Sequence, residues 1–219
     1  MNKKLFVFLG ILLFTKMTSA FAAFSDENGH EYVDLGLSVK WATCNVGADS
    51  PEDYGDYFAW GETSPKSTYD WSTYKWCKGA YDNLTKYNTK SGFGTVDNKN
   101  QLDLSDDAAR ANWGGSWRMP THNELTELRE NCSWTWTTQN GVKGYKVTSK
   151  TNGNSIFLPA AGYRDSSSLY NAGSYGYYWS SSLYSGFPHC ARYVGFDSSG
   201  VDWYYNRRHF GQSVRPVCL

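Results

Sequence analysis

The stretch Val33-Asp-Leu-Gly-Leu-Ser-Val-Lys-Trp-Ala42 alternates large apolar residues with small or polar ones. A period of two is typical of a strand that buries one face and exposes the other. The pattern therefore predicts one strand over residues 33–42, the clearest strand signal in the chain. Since the chain also holds 21 glycines and is 17% aromatic, we expect this strand to belong to a mostly β, loop-rich domain.

The first 22 residues have the three parts of a secretory signal peptide. Two early lysines precede an apolar run of 10 residues and then a small-residue stretch that ends at Ala22. This order predicts a signal peptide over residues 1–22 and a single domain over residues 23–219. A membrane-spanning helix needs roughly 20 apolar residues, so we expect no membrane span after cleavage. The expected location is extracytoplasmic: periplasm, cell surface or secreted.

The composition favours recognition over binding to nucleic acid. Lysine and arginine number 21, as do aspartate and glutamate, so the chain lacks the positive field that nucleic-acid binding uses, and no nucleic-acid partner is expected. The chain has 10 tryptophans and 17 tyrosines. These residues join a large apolar area to a polar group, which suits binding surfaces.

Two helices are predicted in the middle of the chain. Residues 106–112 form a short helical pattern, and Thr121-x-x-Glu124 is a capping box that begins a second helix. This second helix should end near Asn131, because tryptophan and threonine alternate directly after it. Residues 48–115 hold few aliphatic side chains, and we expect long loops there with aromatic residues packed into the core.

Strands are predicted on both sides of an Asn152-Gly153 hairpin turn and in an antiparallel meander near the C-terminus. Pro216 cannot donate a backbone hydrogen bond, which predicts that the last strand lies at a sheet edge or that the position of the missing N–H points away from the pairing side. The predicted strands cover residues 133–138, 145–149, 155–158, 177–182, 192–196, 201–205 and 213–218.

Six ordered blocks carry a resemblance that covers nearly the whole mature chain. They are Tyr32–Gly47, Gly55–Glu62, Trp113–Thr121, Leu158–Tyr163, Tyr178–Ser182 and Val214–Val217. Together they resemble the Fibrobacter succinogenes major paralogous domain family, which is related to the formylglycine-generating, sulfatase-modifying enzymes. The resemblance implies an α+β, C-type lectin-like (formylglycine-generating-enzyme-like) fold: an irregular, mostly antiparallel sheet with one or two helices and long loops.

The C-terminal half also resembles the variable proteins of diversity-generating retroelements, which mutate adenines in their target genes. Mutation of adenines in an AAC codon cannot produce Trp, Lys, Glu, Gln or Met. The windows 183–193 and 204–210 contain none of these five residue types. The resemblance thus implies diversification in the two windows, and the alternative is a fixed loop with a binding or structural role.

The same region supplies the predicted ligand-binding surface, because it mixes tyrosine and arginine with small polar residues as evolved paratopes do. The predicted ligand-binding residues are Tyr184, Phe187, His189, Arg192, Tyr193, Tyr204, Tyr205, Asn206, Arg207, Arg208 and His209. Trp179, Val194, Phe196 and Trp203 are expected in the core. The partner is a protein or glycan ligand on another cell or surface. A protein is favoured because the Glu-Pro-Asn or Gln-Pro-Asp triplet of sugar-binding C-type lectins is absent.

We expect no catalytic residue, no cofactor and no metal. The formylglycine-generating enzymes carry two cysteines close together in their C-terminal part, whereas Cys190 and Cys218 are 28 residues apart. The four histidines have no metal-binding spacing. The alternatives to a binding domain are a relative of the formylglycine-generating oxidases and a structural cell-surface module.

The five cysteines predict at least one disulfide and one free thiol in an exported chain. Cys44 and Cys218 are the predicted pair, because the resemblance implies that the first and last strands lie together. Cys190 is the predicted unpaired thiol.

Overall fold

The computed structural model describes residues 24–25 and 28–219, so the predicted signal peptide lies outside the described residues. The described chain is α+β, with mostly antiparallel sheets and two α-helices, as the sequence predicted. The helices are α1 (Ala108–Trp113) and α2 (His122–Asn131). The strands are β1 (Phe24–Ser25), β2 (Glu31–Val33), β3 (Lys40–Ala42), β4 (Cys132–Gln139), β5 (Val142–Ser149), β6 (Ser155–Pro159), β7 (Tyr163–Asp165), β8 (Ser168–Tyr170), β9 (Gly176–Leu183), β10 (Cys190–Asp197), β11 (Gly200–Arg207) and β12 (Val217–Cys218).

The strands form four antiparallel sheets with the orders β1-β2-β3-β12, β11-β10-β9, β4-β5-β6 and β7-β8. The last strand pairs with β3, so the first and last parts of the domain lie together. Pro216 directly precedes β12, which is an edge strand, as predicted. The hairpin around Asn152-Gly153 is also confirmed, since β5 and β6 pair and Gly153 has a φ of +77°.

Residues 33–42 form a hairpin instead of the predicted single strand. Val33 pairs with Trp41 across β2 and β3, and the intervening turn uses Gly36 at a φ of +67°. The Asp34 carboxylate accepts a hydrogen bond from the Gly36 backbone N–H at 2.7 Å. Large apolar residues are buried on both arms. The period of two therefore predicted correctly which side chains are buried, but it was wrong in predicting one continuous strand.

Both predicted helices are present. Thr121 and Glu124 form the reciprocal capping box at the start of α2, which ends at Asn131. The Asp107 side chain accepts from the Arg110 backbone N–H and so begins α1. None of the helices in the described ranges combines the length and apolar character needed to cross a bilayer.

The sheet β9-β10-β11 is packed on two sides. Successive strand residues point to opposite faces, so Tyr178 packs with α2 and β4–β6, whereas Trp179 packs against the long loops. On the loop side, Trp60 Nε1 donates to the Ser180 carbonyl at 2.8 Å and Trp179 Nε1 donates to the Phe58 carbonyl at 2.9 Å. The loops between β3 and α1 are therefore held by aromatic residues, as expected.

Arg215 connects several of these elements. Its guanidinium is buried and donates to Asn45 Oδ1 at 2.9 Å, to the Ala42 carbonyl at 3.0 Å and to the Phe157 carbonyl at 3.0 Å. The C-terminal Val214–Val217 block therefore carries a side chain that joins the β3 segment to β6.

Candidate functional site

The predicted ligand-binding residues divide between two surfaces because β10 and β11 are paired strands with alternating faces. Arg192 lies opposite Tyr205, and Tyr193 lies opposite Tyr204. Cross-strand partners share a face, whereas neighbours along one strand do not. We call the surface on the α2 side the aromatic ridge (Tyr184, Phe187, His189, Arg192, Tyr205 and Arg207). We call the other surface the tyrosine cleft (Tyr175, Tyr177, Tyr193, Gly195, Asp197, Asp202 and Tyr204).

Two stacked tyrosines form the centre of the aromatic ridge. The ring centroids of Tyr184 and Tyr205 are 4.0 Å apart and their planes differ by 6°. Phe187 lies against both rings, at 6.0 Å from Tyr184 and 6.1 Å from Tyr205. Tyr205 is 49% exposed and Phe187 is 46% exposed. The ridge thus presents a preformed aromatic area to solvent.

Cations border these rings. The Arg192 guanidinium lies 5.1 Å from the Tyr184 ring centroid, and Lys90 Nζ lies 5.9 Å from that of Phe187. Lys90 Nζ also donates to the Gly186 carbonyl at 2.6 Å. Arg192 Nη1 is 3.3 Å from His122 Nε2. Because burial and the charge of Arg192 hold the pKa of His122 below its usual value, that nitrogen can accept a hydrogen bond from the guanidinium near pH 7.

His189 extends the ridge towards the loops. Its ring stacks on Phe93 at 5.2 Å and meets Tyr81 edge-on at 5.3 Å. Burial lowers the pKa of His189, and the charges of Arg207 and Arg208 lower it further. The ring is therefore neutral at pH 7, and the charge at this end of the ridge comes from Arg207, which is exposed.

Four predictions about exposure are wrong. Tyr193, Arg208 and His209 were expected to be exposed at a binding surface but are buried, although Tyr193 still lines the tyrosine cleft. The Arg208 guanidinium donates a hydrogen bond to the backbone carbonyl of Tyr87 in the long loops. His209 packs on Trp71, with the ring centroids 4.6 Å apart. Trp203 was expected in the core but is only half-buried, because it lies on the outer strand β11 with the Arg129 guanidinium 3.7 Å above its ring.

The remaining predictions for this region agree with the structure in part. Asn206 is half-buried, and its side chain accepts a hydrogen bond from the Arg207 backbone N–H at 2.9 Å. Trp179, Val194 and Phe196 are buried, as expected for core residues.

The predicted disulfide between Cys44 and Cys218 is not formed, and the described residues contain no other. Cys218 lies opposite Lys40 in the β3–β12 pair, four residues before Cys44, so the register does not bring the two cysteines together. Cys132 and Cys190 are buried, and burial raises the pKa of each thiol to about 11. Both thiols are therefore protonated at neutral pH.

Within residues 24–25 and 28–219, no three histidine, cysteine, aspartate or glutamate side chains come close enough to hold an ion.

Several residues of the candidate site escaped the sequence reasoning. Lys90 and Phe93 come from a loop about 95 residues before the ridge strands, and His122 begins α2. No local pattern marks the first two as neighbours of the ridge, because the contacts depend on how the long loop folds back. The contact of His122 with Arg192 likewise had no signal in the sequence.

The fold and the two surfaces describe an α+β domain with exposed aromatic side chains on both faces of its C-terminal sheet. A family model described as "Domain of unknown function (DUF8237)" matches residues 131–217. The matched range runs from the end of α2 to β12, and it includes the strands and loop residues of both surfaces. No curated protein and no solved structure matches the chain.

Proposed function

We propose that this chain is an exported, non-enzymatic ligand-binding domain with a C-type lectin-like fold, and that it binds a protein on another cell or surface through the aromatic ridge. One observation carries the proposal: Tyr184 and Tyr205 stack at 4.0 Å while Tyr205 and Phe187 remain about half exposed. Large aromatic side chains held in one conformation lose little entropy on binding, and they dominate the energetics of protein interfaces.

The charges on the ridge favour an acidic partner surface. Arg192 and Lys90 lie beside the ridge rings, and Arg207 is exposed on the same side of β11. Arginine beside aromatic residues is a common composition at the centre of protein interfaces. A glycan ligand is the second candidate, because the resemblance to C-type lectins covers nearly the whole mature chain.

The lectin-like fold is supported by the six ordered sequence blocks and by three structural features. The first and last parts of the domain pair through β3 and β12, α2 packs on the C-terminal sheet, and long loops lie between β3 and α1. These features agree with the antiparallel sheet, helices and long loops that the resemblance implies.

The arrangement of the cysteines supports binding over oxidase chemistry. Cys190 lies opposite Arg207 in β10, and Cys218 lies in β12 of another sheet. A reactive cysteine needs an accessible site and a lowered pKa, whereas Cys190 is buried and its pKa is raised. Oxygen consumption with a cysteine-containing sulfatase peptide would support the enzyme alternative.

The binding proposal predicts a large loss of affinity without loss of the fold. Replacing Tyr184, Phe187 and Tyr205 together by alanine should weaken binding about thirtyfold or more, which corresponds to about 2 kcal/mol. We expect the thermal midpoint to change little, because Phe187 and Tyr205 are exposed and Tyr184 is half-buried, and exposed side chains contribute about 0.5 kcal/mol or less each. The labelled mature protein and the variant are applied to arrays of purified extracellular proteins and of glycans.

The matched control replaces Leu169 and Tyr170 by alanine, since both are exposed apolar side chains on β8, away from the ridge. This variant should bind like the unmodified protein. Equal binding by the ridge variant and the control would contradict the proposal. Binding on the glycan array alone would replace the protein partner by a sugar.

Diversification of the ridge is a separate part of the proposal, and the flanking DNA tests it. Variation that preserves the fold should be confined to exposed positions of the two windows, such as Phe187, Tyr205 and Arg207, because Arg208 is buried among loop carbonyls. We expect a reverse transcriptase gene beside a near-copy of the 3′ coding region that differs mainly at adenines. Without such a copy, the ridge is a fixed binding surface.

A further inference from the structure

The tyrosine cleft lies on the face of the C-terminal sheet opposite the ridge. It has a volume of about 340 Å³ and opens between the start of β9 and the β10–β11 hairpin. Its rings come from Tyr175, Tyr177, Tyr193 and Tyr204. Tyr193 is buried, whereas Tyr204 is 52% exposed, so the rings extend from the protein interior to the rim.

Gly195 gives the rings of Tyr193 and Tyr204 room to lie over the sheet in this cleft. It lies opposite Asp202 on β11 and Tyr177 on β9, in the middle of the sheet. A Cβ atom at this position would lie 2.9 Å from Cε2 of Tyr193 and 3.1 Å from Cδ2 of Tyr204. The two rings therefore cover a position where any other residue would displace them.

The rings are close enough together to act on one ligand. The centroids of Tyr193 and Tyr204 are 5.8 Å apart, and those of Tyr177 and Tyr193 are 5.6 Å apart. The ring planes of Tyr193 and Tyr204 differ by 30°, and those of Tyr177 and Tyr193 differ by 34°. A cation is attracted by a ring face within about 6 Å of the centroid. A cation that lies over two neighbouring rings, on the solvent side of the cleft, can be within this distance of both centroids.

The charge at the rim is negative. Asp197 accepts hydrogen bonds from the Ser199 backbone N–H at 2.7 Å and from its hydroxyl at 2.5 Å. These bonds hold the pKa of Asp197 below its usual range, so the carboxylate is ionised at neutral pH. Asp202 adds a second carboxylate, whose Oδ1 lies 3.5 Å from Nη2 of Arg129. Of the described residues that line the cleft, none is basic.

We propose that the tyrosine cleft binds an organic cation of the alkylammonium class, with its charge towards Asp197 and its alkyl groups against Tyr177, Tyr193 and Tyr204. Aromatic faces attract cations, and a nearby carboxylate adds direct Coulomb attraction. A bare metal ion fits poorly, because hard cations take several oxygen ligands, whereas Asp197 and Asp202 are the only acidic residues among the described residues that line the cleft, and Asp202 already lies 3.5 Å from Arg129. This site lies apart from the ridge and goes beyond the proposed function.

The test compares cations with neutral molecules of the same shape by calorimetric titration of the mature protein. The first pair is choline and its neutral analogue 3,3-dimethylbutan-1-ol, and this pair represents a free small molecule. The second pair is a tripeptide with a central lysine and its norleucine analogue, and this pair represents a side chain of a partner protein. In at least one pair, the cation should bind about tenfold more tightly than the neutral compound. Equal affinities within both pairs would overturn the proposal.

Three variants locate the site. Tyr204→Ala and Asp197→Asn should each weaken cation binding about tenfold, whereas Tyr204→Phe, which keeps the ring, should retain it. Asp49→Asn is the matched charge control: Asp49 is exposed and does not line the cleft, so its replacement should leave the affinity unchanged. The ridge variant should bind the cation normally, which separates this proposal from the proposed function. Unchanged binding by both Tyr204→Ala and Asp197→Asn would contradict the site.

Discussion

Replacing Arg208 by alanine should lower the free energy of unfolding by about 4 kcal/mol. Arg208 Nη1 donates to the carbonyls of Tyr87 at 2.8 Å and Pro188 at 3.0 Å, and Nε donates to the Tyr74 hydroxyl at 2.9 Å. The guanidinium also lies 5.2 Å from the Trp60 ring centroid. Its removal leaves buried carbonyls without donors and opens a cavity, and each unsatisfied group costs about 1–3 kcal/mol.

Thermal and urea unfolding measure this effect, with Arg207→Ala as the matched control. Arg207 is the preceding residue and has the same side chain, but it is exposed. We expect the control to change stability by about 0.5 kcal/mol or less. The Arg208 variant should melt about 10 °C lower, since 1 kcal/mol shifts the midpoint of a domain of this size by about 2–4 °C. Equal midpoints for the two variants would show that the Arg208 hydrogen bonds contribute little.

Arg208 also shows where reasoning from the sequence fails. The run Asn206-Arg-Arg-His209 has the composition of a solvated recognition loop, and nothing within it distinguishes its first arginine from its second. The difference arises from carbonyls about 120 residues earlier in the chain, which lie beside the second arginine only after the loops have folded. Long-range partners of this kind have no local signal.

Local signals gave better predictions. The capping box at Thr121 and the Asn152-Gly153 turn each involve residues that are neighbours in sequence, and both were predicted correctly. The period of two over residues 33–42 predicted which side chains are buried. It missed the hairpin, because burial of alternate residues is compatible with one strand or with two short arms joined at Gly36.

The division of the binding region into ridge and cleft was predictable in principle. Tyr204 and Tyr205 are neighbours in a predicted strand, so the alternation of faces already separates them. The composition of the loops suggested one continuous surface, so the placement of Tyr204 and Tyr205 on opposite faces was not predicted. The structure places Tyr205 beside Tyr184 and Tyr204 beside Tyr193, which gives two surfaces with opposite charge preferences.

Acidification from pH 7 to pH 4 should destabilise the protein by about 3 kcal/mol through His209 alone. Burial, reinforced by the charge of Arg207, lowers the pKa of His209 from 6.5 to about 4, although the charge of Asp70 opposes this shift. Between these two pKa values the unfolded chain binds the proton and the folded protein does not. Stability is therefore fully present above pH 6.5 and is lost as the pH falls towards 4.

The measurement is the free energy of unfolding in urea at pH 7 and at pH 4, for the unmodified protein and for His209→Phe. Phenylalanine does not titrate, and it keeps an aromatic ring against Trp71 and Phe210. The ring centroid of His209 lies 4.6 Å from that of Trp71 and 4.4 Å from that of Phe210. Other groups titrate equally in both proteins. The free energy of unfolding that the unmodified protein loses between pH 7 and pH 4, minus the amount that His209→Phe loses, therefore gives the contribution of His209. The Asp165 carboxylate lies 3.9 Å from His209 Nε2. If that contact instead kept the ring protonated when folded, the contribution of His209 would fall as the pH rises, and this opposite slope would contradict the prediction.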